Sequence, residues 1–288
     1  MTTIFNLRGT FGYGMHGCGY YAGTVHANTF EGFEYWQRNG VKIIEVDISQ
    51  TTDGEFVALA HKMTPEYLRR LEIRSFDDKD VFTYGWFMRQ KLFRYSSRGL
   101  HPLDLHRIID EIRRDNDLIV MFDLYGLWSF EEAKNFTSEL NYYIGSDIHL
   151  IHQTLIEAYN QNMIDGIQAV KEAGYPIIYC VRDNSTGGNH QWMSPDELAK
   201  KGIEFVSYPW HYAGFYEGEM KQYVDNNFTI FSYCADRRKV GECRLGGANV
   251  ILVDVLFTDH NFFYKYPIYL FGRLKNKIVQ KLLRKFFR

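Results

Sequence analysis

Nine short apolar runs, separated mostly by segments with a helical pattern, constrain the fold more than any other feature of this sequence. They lie at 11–17, 42–48, 55–61, 118–124, 154–159, 176–181, 203–208, 228–234 and 249–255. Most are continuously apolar rather than alternating, as expected for parallel strands that are covered on both faces. Strands and helices that alternate over this length predict an α/β fold, a (β/α)8 TIM-type barrel in a single domain over 1–288, with one run outside the barrel.

Three segments between these runs carry helical signals. Asn28 and Glu31 are spaced as a capping pair for a helix that Gly40 would end. A second segment ends at Gly174, a typical C-terminal glycine. A third has its apolar residues on one face, namely Leu105, Ile108, Ile109 and Ile112.

Two other segments depart from the regular alternation. Between Ile48 and Phe56 the chain is too short for a crossover helix, which needs about a dozen residues. We expect an extended link with a turn at Asp53 and Gly54 instead. The segment 62–100 is aromatic and basic with weak periodicity, which predicts an irregular excursion over one end of the barrel.

Composition argues against several classes of protein. A formal net charge of −2 gives no basis for nucleic-acid binding, which usually needs a strongly basic face. The four cysteines form no Cys-x-x-Cys motif, so we expect neither a disulfide framework nor a zinc site. The sequence shows no leader pattern and no apolar stretch of about 18 residues, so we expect a cytoplasmic protein.

Two carboxylates, Glu45 and Asp47, interrupt the second apolar run. They are two residues apart, so in a strand their side chains point to the same face, where like charges repel unless a cation lies between them. His16, His61 and Asp123 stand at the ends of the first, third and fourth runs, and the carboxyl ends of the strands form the active site of such a barrel. Three carboxylates predict an oxygen-preferring divalent cation, Mg²⁺ or Ca²⁺.

Each of these residues also has a purely structural interpretation. A histidine at a strand end is commonly a hydrogen-bonded structural residue, as His16 or His61 would then be. Glu45 and Asp47 could pair with arginines at the barrel rim, and Asp123 could cap the helix that follows. The catalytic interpretation gains weight because four successive runs deliver titratable groups to the same end.

Five segments form a series of motifs. They read "HG", "ANTFEGF", "GVKIIEVDISQTTDGEFVALAH", "PLDLHRIIDEI" and "LIVMFDL". This series, clearest over 11–124, resembles the glycerophosphodiester phosphodiesterase family of the phospholipase-C-like phosphodiesterase superfamily. The resemblance implies a (β/α)8 barrel, a divalent metal held by Glu45, Asp47 and Asp123, and paired acid/base histidines. The family's two histidines correspond to His16 and His61.

The chemistry of these residue types fits cleavage of a phosphodiester. A hard cation can bind the oxygens of an anionic phosphodiester and offset charge that develops in the transition state. Two histidines can divide the proton transfers, since an unperturbed imidazole titrates at about pH 6.5. This chemistry and the family resemblance together lead us to expect a metal-dependent phosphoric diester hydrolase. The resemblance implies a small or headgroup-like glycerophosphodiester as substrate, with a polysaccharide-linked glycerol phosphate as an alternative, and the hydrolysis of a cyclic phosphate product is left open.

Two other functions stay open. A non-catalytic barrel could bind a phosphorylated ligand or an anionic membrane surface and keep the metal site only as structure. A metal-independent lyase acting on inositol lipids would share the barrel. The three carboxylates speak against this lyase, because it should not need the divalent ion.

Three positions depart from the family's usual residues. Gly17 stands where an Arg commonly follows the first His, and Lys62 where an Asp often follows the second. Tyr125 stands where a Lys is common, two residues after the strand-end carboxylate. Lys62 and Arg182 are candidates for substrate binding through their positive charge, or they are solvated rim residues.

The C-terminal segment, about 268–288, is basic, with Leu and Phe residues on one stripe of an expected helix. One interpretation is the last barrel helix with a solvated basic face. The other is an interfacial helix on anionic lipid, for which basic residues opposite Leu and Phe are the expected composition. The expected partners are therefore a small-molecule or headgroup phosphodiester, no nucleic acid, and a membrane only through this segment.

Overall fold

The structure is a computed structural model, and it describes most of the chain up to Val253. The described residues are 12–22, 24–60, 62–73, 76, 82–93, 99–170, 173–181, 193–209, 217–233 and 240–253. The chain divides into two compact units, Met1–Asp254 and Val255–Arg288, and every described residue belongs to the first. His61, Arg182 and the segment 268–288 lie outside the described residues, so what the sequence predicts for them stays a prediction.

Eight parallel strands close into a barrel. In chain order the strands are β1 Gly12–Met15, β2 Tyr20–Tyr21, β3 Thr24–Val25, β4 Ile43–Gln50, β5 Phe56–Ala58, β6 Ile119–Asp123, β7 Thr154–Ala158, β8 Ile177–Cys180, β9 Phe205–Pro209, β10 Thr229–Tyr233 and β11 Val250–Val253. The barrel runs β1, β4, β6, β7, β8, β9, β10 and β11, and β11 pairs with β1 to close it. The predicted (β/α)8 barrel is confirmed.

The run at 55–61 is the one that lies outside the barrel. Its strand β5 pairs antiparallel with the end of β4. The predicted turn joins the two strands, with the Thr51 N–H donating to the Glu55 carbonyl at 2.8 Å and Gly54 at a φ of 96°. Because β5 is not a barrel strand, β6 lies directly against β4, and Asp123 ends the third barrel strand rather than the fourth.

Helices lie between most successive barrel strands. Their bounds are Phe30–Arg38, Pro65–Arg70, Tyr84–Phe87, Leu105–Arg114, Phe130–Ile144, Ile148–His152, Gln161–Gln168, Pro195–Lys200, Glu217–Asp225 and Val240–Leu245. The helix Leu105–Arg114 buries its predicted apolar face, whereas Gln161–Gln168 ends before the predicted stop at Gly174. Within the described ranges, no helix has the length and apolar character needed to cross a membrane.

The predicted cap of the first helix is wrong by one residue. Thr29 is the N-cap, and its hydroxyl accepts from the Gly32 N–H at 3.3 Å. Thr29 has the extended backbone that an N-cap requires, whereas Asn28 has a φ of 44°. The Asn28 side chain instead reaches the second strand of the barrel, where it contacts Asp47.

The barrel interior changes from apolar to polar along the strands. One buried apolar cluster consists of Ile43, Ile119, Met121, Leu155, Ile178, Phe205, Phe231, Val250 and Leu252. Since side chains alternate along a strand, Glu45 and Asp47 follow Ile43 on the same inward face. The polar positions therefore lie toward the carboxyl ends of the strands, where barrel active sites are built.

The segment 62–100 is more regular than the sequence predicts. Where it is described, it contains the helices Pro65–Arg70 and Tyr84–Phe87. Together with β5 and its flank it forms a second buried apolar cluster of Val57, Leu59, Leu68, Leu71, Ile73, Phe82, Phe87 and Leu92. Packing within this small core stabilises the helices of the segment, although the weak apolar periodicity of the sequence does not predict them.

Candidate active site

Three carboxylates from two adjacent strands meet at the carboxyl end of the barrel. Asp47 of β4 lies opposite Asp123 of β6 in the parallel register, and Glu45 points to the same face as Asp47. One oxygen of each carboxylate lies within 4.8 Å of the other two, and all three side chains are buried. The structure thus brings together the three residues that the sequence proposes as metal ligands.

Burial makes the charge of this cluster costly. Burial raises the pKa of Glu45, and the charges of Asp47 and Asp123 raise it further. Burial likewise raises the pKa of Asp123, followed by the charges of Glu157 and Asp47. Two unit charges roughly 5 Å apart repel by about 3 kcal/mol at an effective dielectric constant of about 20. Three ionised carboxylates therefore oppose folding by an energy comparable to a protein's net stability, so protons or a cation must offset them.

The donor set fits a hard divalent cation. Glu45 Oε1 is buried and has no hydrogen-bond partner among the described residues. In the described part of the chain, no lysine or arginine forms an ion pair with Glu45, Asp47 or Asp123, so the rim-arginine interpretation finds no support there. A buried, unpaired carboxylate oxygen is unfavourable, and hard cations prefer such oxygens as ligands.

Two of the carboxylates are oriented by the segment 16–29 between β1 and the first helix, which includes β2 and β3 and is called here the loop after β1. The Gly17 N–H donates to Glu45 Oε2. Asn28 Nδ2 donates to Asp47 Oδ2 at 2.5 Å, and the Asp47 N–H donates to Asn28 Oδ1 at 3.1 Å. Asn28, selected from the sequence only as a helix cap, is therefore a positioning residue for Asp47.

Asp123 does not cap the helix that follows its strand. Ser129 caps the helix Phe130–Ile144 in a capping box with Glu132. Asp123 Oδ1 instead accepts from the Tyr125 N–H and lies 2.7 Å from the Tyr159 hydroxyl. The capping interpretation of this carboxylate is excluded.

A fourth buried carboxylate, Glu157, is absent from the sequence-based set. It lies opposite Asp123 in the register of β6 and β7. Its oxygens accept from the hydroxyls of Ser207, Tyr233 at 2.7 Å and Tyr159 at 3.0 Å. The signal for it was available in the sequence, because a lone glutamate inside an apolar run is the same feature that selects Glu45.

His16 lies at the mouth of the barrel beside a second histidine that the sequence analysis does not select. The ring centroids of His16 and His26 are 4.0 Å apart in an edge-to-face arrangement, and the Tyr233 ring lies 4.9 Å from His16. A Cβ on Gly17 would lie 2.7 Å from His26 Cβ, so the missing side chain at position 17 makes room for His26. No periodicity in the sequence signals this contact, because it depends on how the loop after β1 folds back.

Lys62 lies at the rim of the barrel mouth rather than in the acidic cluster. Its Nζ is 3.5 Å from Glu132 Oε1, and its side chain is 63% exposed. A Cβ on Gly126 would lie 3.5 Å from Lys62 Cγ, so Lys62 packs against the loop that follows Asp123. Its assignment to substrate binding stays a prediction.

Comparison with known proteins identifies the fold. No protein-family model matches this sequence, and no curated protein sequence matches it. A glycerophosphodiester phosphodiesterase from Parabacteroides distasonis matches with a TM-score of 0.63 and 16% identity, over 86% of this chain and 93% of that one. One from Agrobacterium tumefaciens matches with a TM-score of 0.60 and 15% identity, over 85% and 95%.

A third solved structure carries a bound product. It is an Oleispira antarctica phosphodiesterase in complex with sn-glycerol-3-phosphate, with a TM-score of 0.63 and 11% identity, over 87% of this chain and 94% of that one. These identities are low, so the likeness concerns the fold. The chain has the barrel fold seen in these glycerophosphodiester phosphodiesterases, which is the fold that the motif resemblance implies.

Proposed function

We propose that this protein is a metal-dependent phosphodiesterase that cleaves a glycerophosphodiester-like substrate. The observation that carries the proposal is the buried triad of Glu45, Asp47 and Asp123, with an unpartnered Glu45 oxygen among the described residues. The fold shared with glycerophosphodiester phosphodiesterases, one of them bound to sn-glycerol-3-phosphate, supports the choice of substrate class.

In this proposal the three carboxylates hold one divalent cation, Mg²⁺ or Ca²⁺. Such an ion, when bound, offsets the negative charge that develops on the phosphoryl oxygens. Asn28 and Gly17 keep two of the ligands oriented through the hydrogen bonds described above. Because those bonds come from the loop after β1, the same loop that carries His16 also orders the metal ligands.

His16 and His61 divide the proton transfers in this proposal. The His16 N–H of the backbone donates to the Val253 carbonyl at 3.1 Å, which ties the residue to the end of β11. The rings of His26 and Tyr233 pack against the His16 imidazole and limit its orientations. One ring nitrogen of His16 takes the proton of the nucleophile or gives a proton to the leaving alkoxide, and His61 performs the complementary transfer.

Hydrolysis of a glycerophosphodiester panel with Mg²⁺, Ca²⁺, Mn²⁺ or EDTA tests this function. We expect turnover that requires the ion and that falls about 100-fold or more in His16→Ala. Asp47→Asn should lose ion binding in a calorimetric titration as well as turnover. His149→Ala and Asp225→Asn are matched controls, because both residues are exposed on helices and have no part in the site.

The outcomes separate the competing functions. Turnover by the folded protein in EDTA would overturn the metal requirement and favour the metal-independent lyase. Ion binding without turnover of any ester would favour a non-catalytic barrel that binds a phosphorylated ligand. An affinity for the phosphorylated ligand that is unchanged in His16→Ala would also favour the non-catalytic barrel.

A further inference from the structure

A cavity of about 370 Å³ opens beside the acidic cluster, between the segment after β5 and the loop after β6. Its walls include three aromatic residues, Tyr67, Tyr125 and Trp128. All three are partly exposed, so their rings are available to the cavity. Two cations, Lys62 and Arg70, lie on the same walls.

This cavity is linked to the proposed metal site by contacts between residues of its walls and residues of the cluster. The Tyr125 N–H donates to Asp123 Oδ1 at 2.7 Å. The ring of Tyr159, whose hydroxyl contacts Asp123, lies 5.8 Å from the Tyr125 ring and 5.5 Å from the Trp128 ring. On the other wall, burial raises the pKa of Tyr67 and the charge of Asp47 raises it further, which places that phenol within electrostatic reach of the cluster.

The rings of Tyr125, Trp128 and Tyr159 pack against one another. The ring planes of Trp128 and Tyr159 are inclined by only 25°, a stacked arrangement, and Tyr125 packs against Trp128 at 5.5 Å. Partly exposed aromatic faces in a cavity bind either the C–H face of a polyol ring or a quaternary ammonium group. The aromatic residues alone therefore do not distinguish a polyol ring from a quaternary ammonium group as the ligand of this cavity.

The charges on the cavity walls decide between these ligands. Lys62 and Arg70 are both 63% exposed, and each pairs with one acid, Glu132 at 3.5 Å and Glu66 at 2.6 Å. Glu66 also lines the cavity, so each of the two cations is balanced by its own carboxylate and the walls offer no unpaired acid. A quaternary ammonium group would therefore find no unpaired carboxylate on these walls, whereas hydroxyl groups would find donors in the ammonium and guanidinium groups and acceptors in the carboxylates.

We propose that this cavity takes the alcohol group of the phosphodiester, and that the preferred alcohol is a polyol ring rather than a quaternary amine. The proposal rests on the phosphodiesterase function proposed above. The polyol ring stacks on Trp128 and Tyr125, while Lys62 and Arg70 contact its hydroxyls. The ester's phosphate then lies toward Asp47 and Asp123, on the side where the cavity meets the acidic cluster.

The test compares two soluble esters, glycerophosphoinositol and glycerophosphocholine. We expect the wild-type protein to favour the inositol ester by about tenfold or more in kcat/KM. Trp128→Ala should lower kcat/KM for the inositol ester by about tenfold, more than for the choline ester. Arg70→Glu should shift the ratio toward the choline ester, whereas Arg38→Glu should not. Arg38 is the matched control because it is an exposed arginine that also pairs with a glutamate four residues earlier on a helix.

Failure of this proposal is distinguishable from failure of the proposed function. Equal turnover of both esters, or a ratio unchanged by Arg70→Glu, would overturn the polyol cavity and leave the phosphodiesterase standing. Without any turnover, calorimetric binding of inositol 1-phosphate and phosphocholine still decides, since equal affinities or preference for phosphocholine would overturn the cavity assignment. Turnover of phosphatidylinositol in vesicles, with or without turnover of the soluble ester, would support a polyol as the preferred alcohol group. It would also show that a lipid headgroup can supply this polyol.

Discussion

Tyr159 joins two buried carboxylates at the centre of the candidate site. Its hydroxyl lies 2.7 Å from Asp123 Oδ1 and 3.0 Å from Glu157 Oε2. Burial raises the pKa of Tyr159, and the charges of Asp123 and Glu157 raise it further, so the phenol keeps its proton. Because a phenol carries one proton, Tyr159 can donate to only one of the two carboxylates at a time.

Removing this hydroxyl should be costly. Tyr159→Phe keeps the ring but leaves two buried carboxylates with one donor fewer, and hydrogen bonds to charged groups contribute about 1.5–3 kcal/mol. We expect the free energy of unfolding to fall by about that amount in urea titrations. Tyr175→Phe is the matched control, because the Tyr175 hydroxyl is buried with no hydrogen-bond partner among the described residues. Equal effects of the two substitutions would contradict a role for the Tyr159 hydroxyl.

His26 is expected to position the His16 ring. His26→Ala removes the ring that lies 4.0 Å from His16, and a small misplacement of a catalytic group costs about 10–100-fold in rate. The loss should appear in kcat rather than KM for a glycerophosphodiester, with His149→Ala unchanged. An unaltered kcat in His26→Ala would assign His26 to packing only.

At the scale of elements, the helix Phe130–Ile144 brings a half-buried carboxyl toward the turn between β4 and β5. Burial, and then the charge of Glu55, raises the pKa of Glu139 to about 7. An unfolded chain would have a glutamate pKa of about 4.3. The raised folded pKa means that Glu139 favours the folded state below the unfolded pKa, and that this contribution is lost as pH rises through about 7.

Glu139→Gln should therefore flatten the pH dependence of stability. Relative to the wild type, the melting temperature should rise at pH 8 and stay nearly unchanged at pH 4. Solvent screens a half-buried group, so we expect about 1 kcal/mol or less, or roughly 2 °C. Glu131→Gln, at an exposed position on the same helix, is the control. A gain that is the same at both pH values would contradict the titration of Glu139 as its cause.

For the whole molecule, the acidic cluster couples ion binding to folding. Glu45, Asp47 and Asp123 come from strands that are adjacent only in the closed barrel, so the unfolded chain has no equivalent site. A ligand that binds only the folded state stabilises it in proportion to the logarithm of its concentration. The proposed divalent ion should therefore stabilise the barrel as a whole.

Thermal unfolding measures this coupling without any substrate. At an ion concentration about 100 times Kd, the stabilisation should be about 2.7 kcal/mol, a rise in Tm of roughly 5 °C. The rise should vanish in EDTA and in Asp47→Asn, and persist in Asp225→Asn. A Tm that does not respond to Mg²⁺, Ca²⁺ or Mn²⁺ would count against the metal site.

The alternation of strands and helices and the carboxylates Glu45, Asp47 and Asp123 could be predicted from the sequence, because apolar periodicity and strand-end position are local properties of the chain. The sequence also carried the signal for Glu157, since a carboxylate within an apolar run is visible without a structure. Which run lies outside the barrel follows from the antiparallel pairing of β5 with β4, a contact that needs the folded turn.

The contacts made by the loop after β1 could not be predicted from the sequence, because they depend on how the chain folds. Asn28 meets Asp47 and His26 meets His16 through left-handed backbone conformations, with φ of 44° at Asn28 and 52° at His26. Such conformations have no periodic signature in a sequence, and their cost is met only where the surrounding packing fixes them. The cavity beside the acidic cluster likewise forms between the segment with the helix Pro65–Arg70 and the loop after β6, which are far apart in the chain. The closed barrel, rather than any single segment, therefore determines what the site can bind.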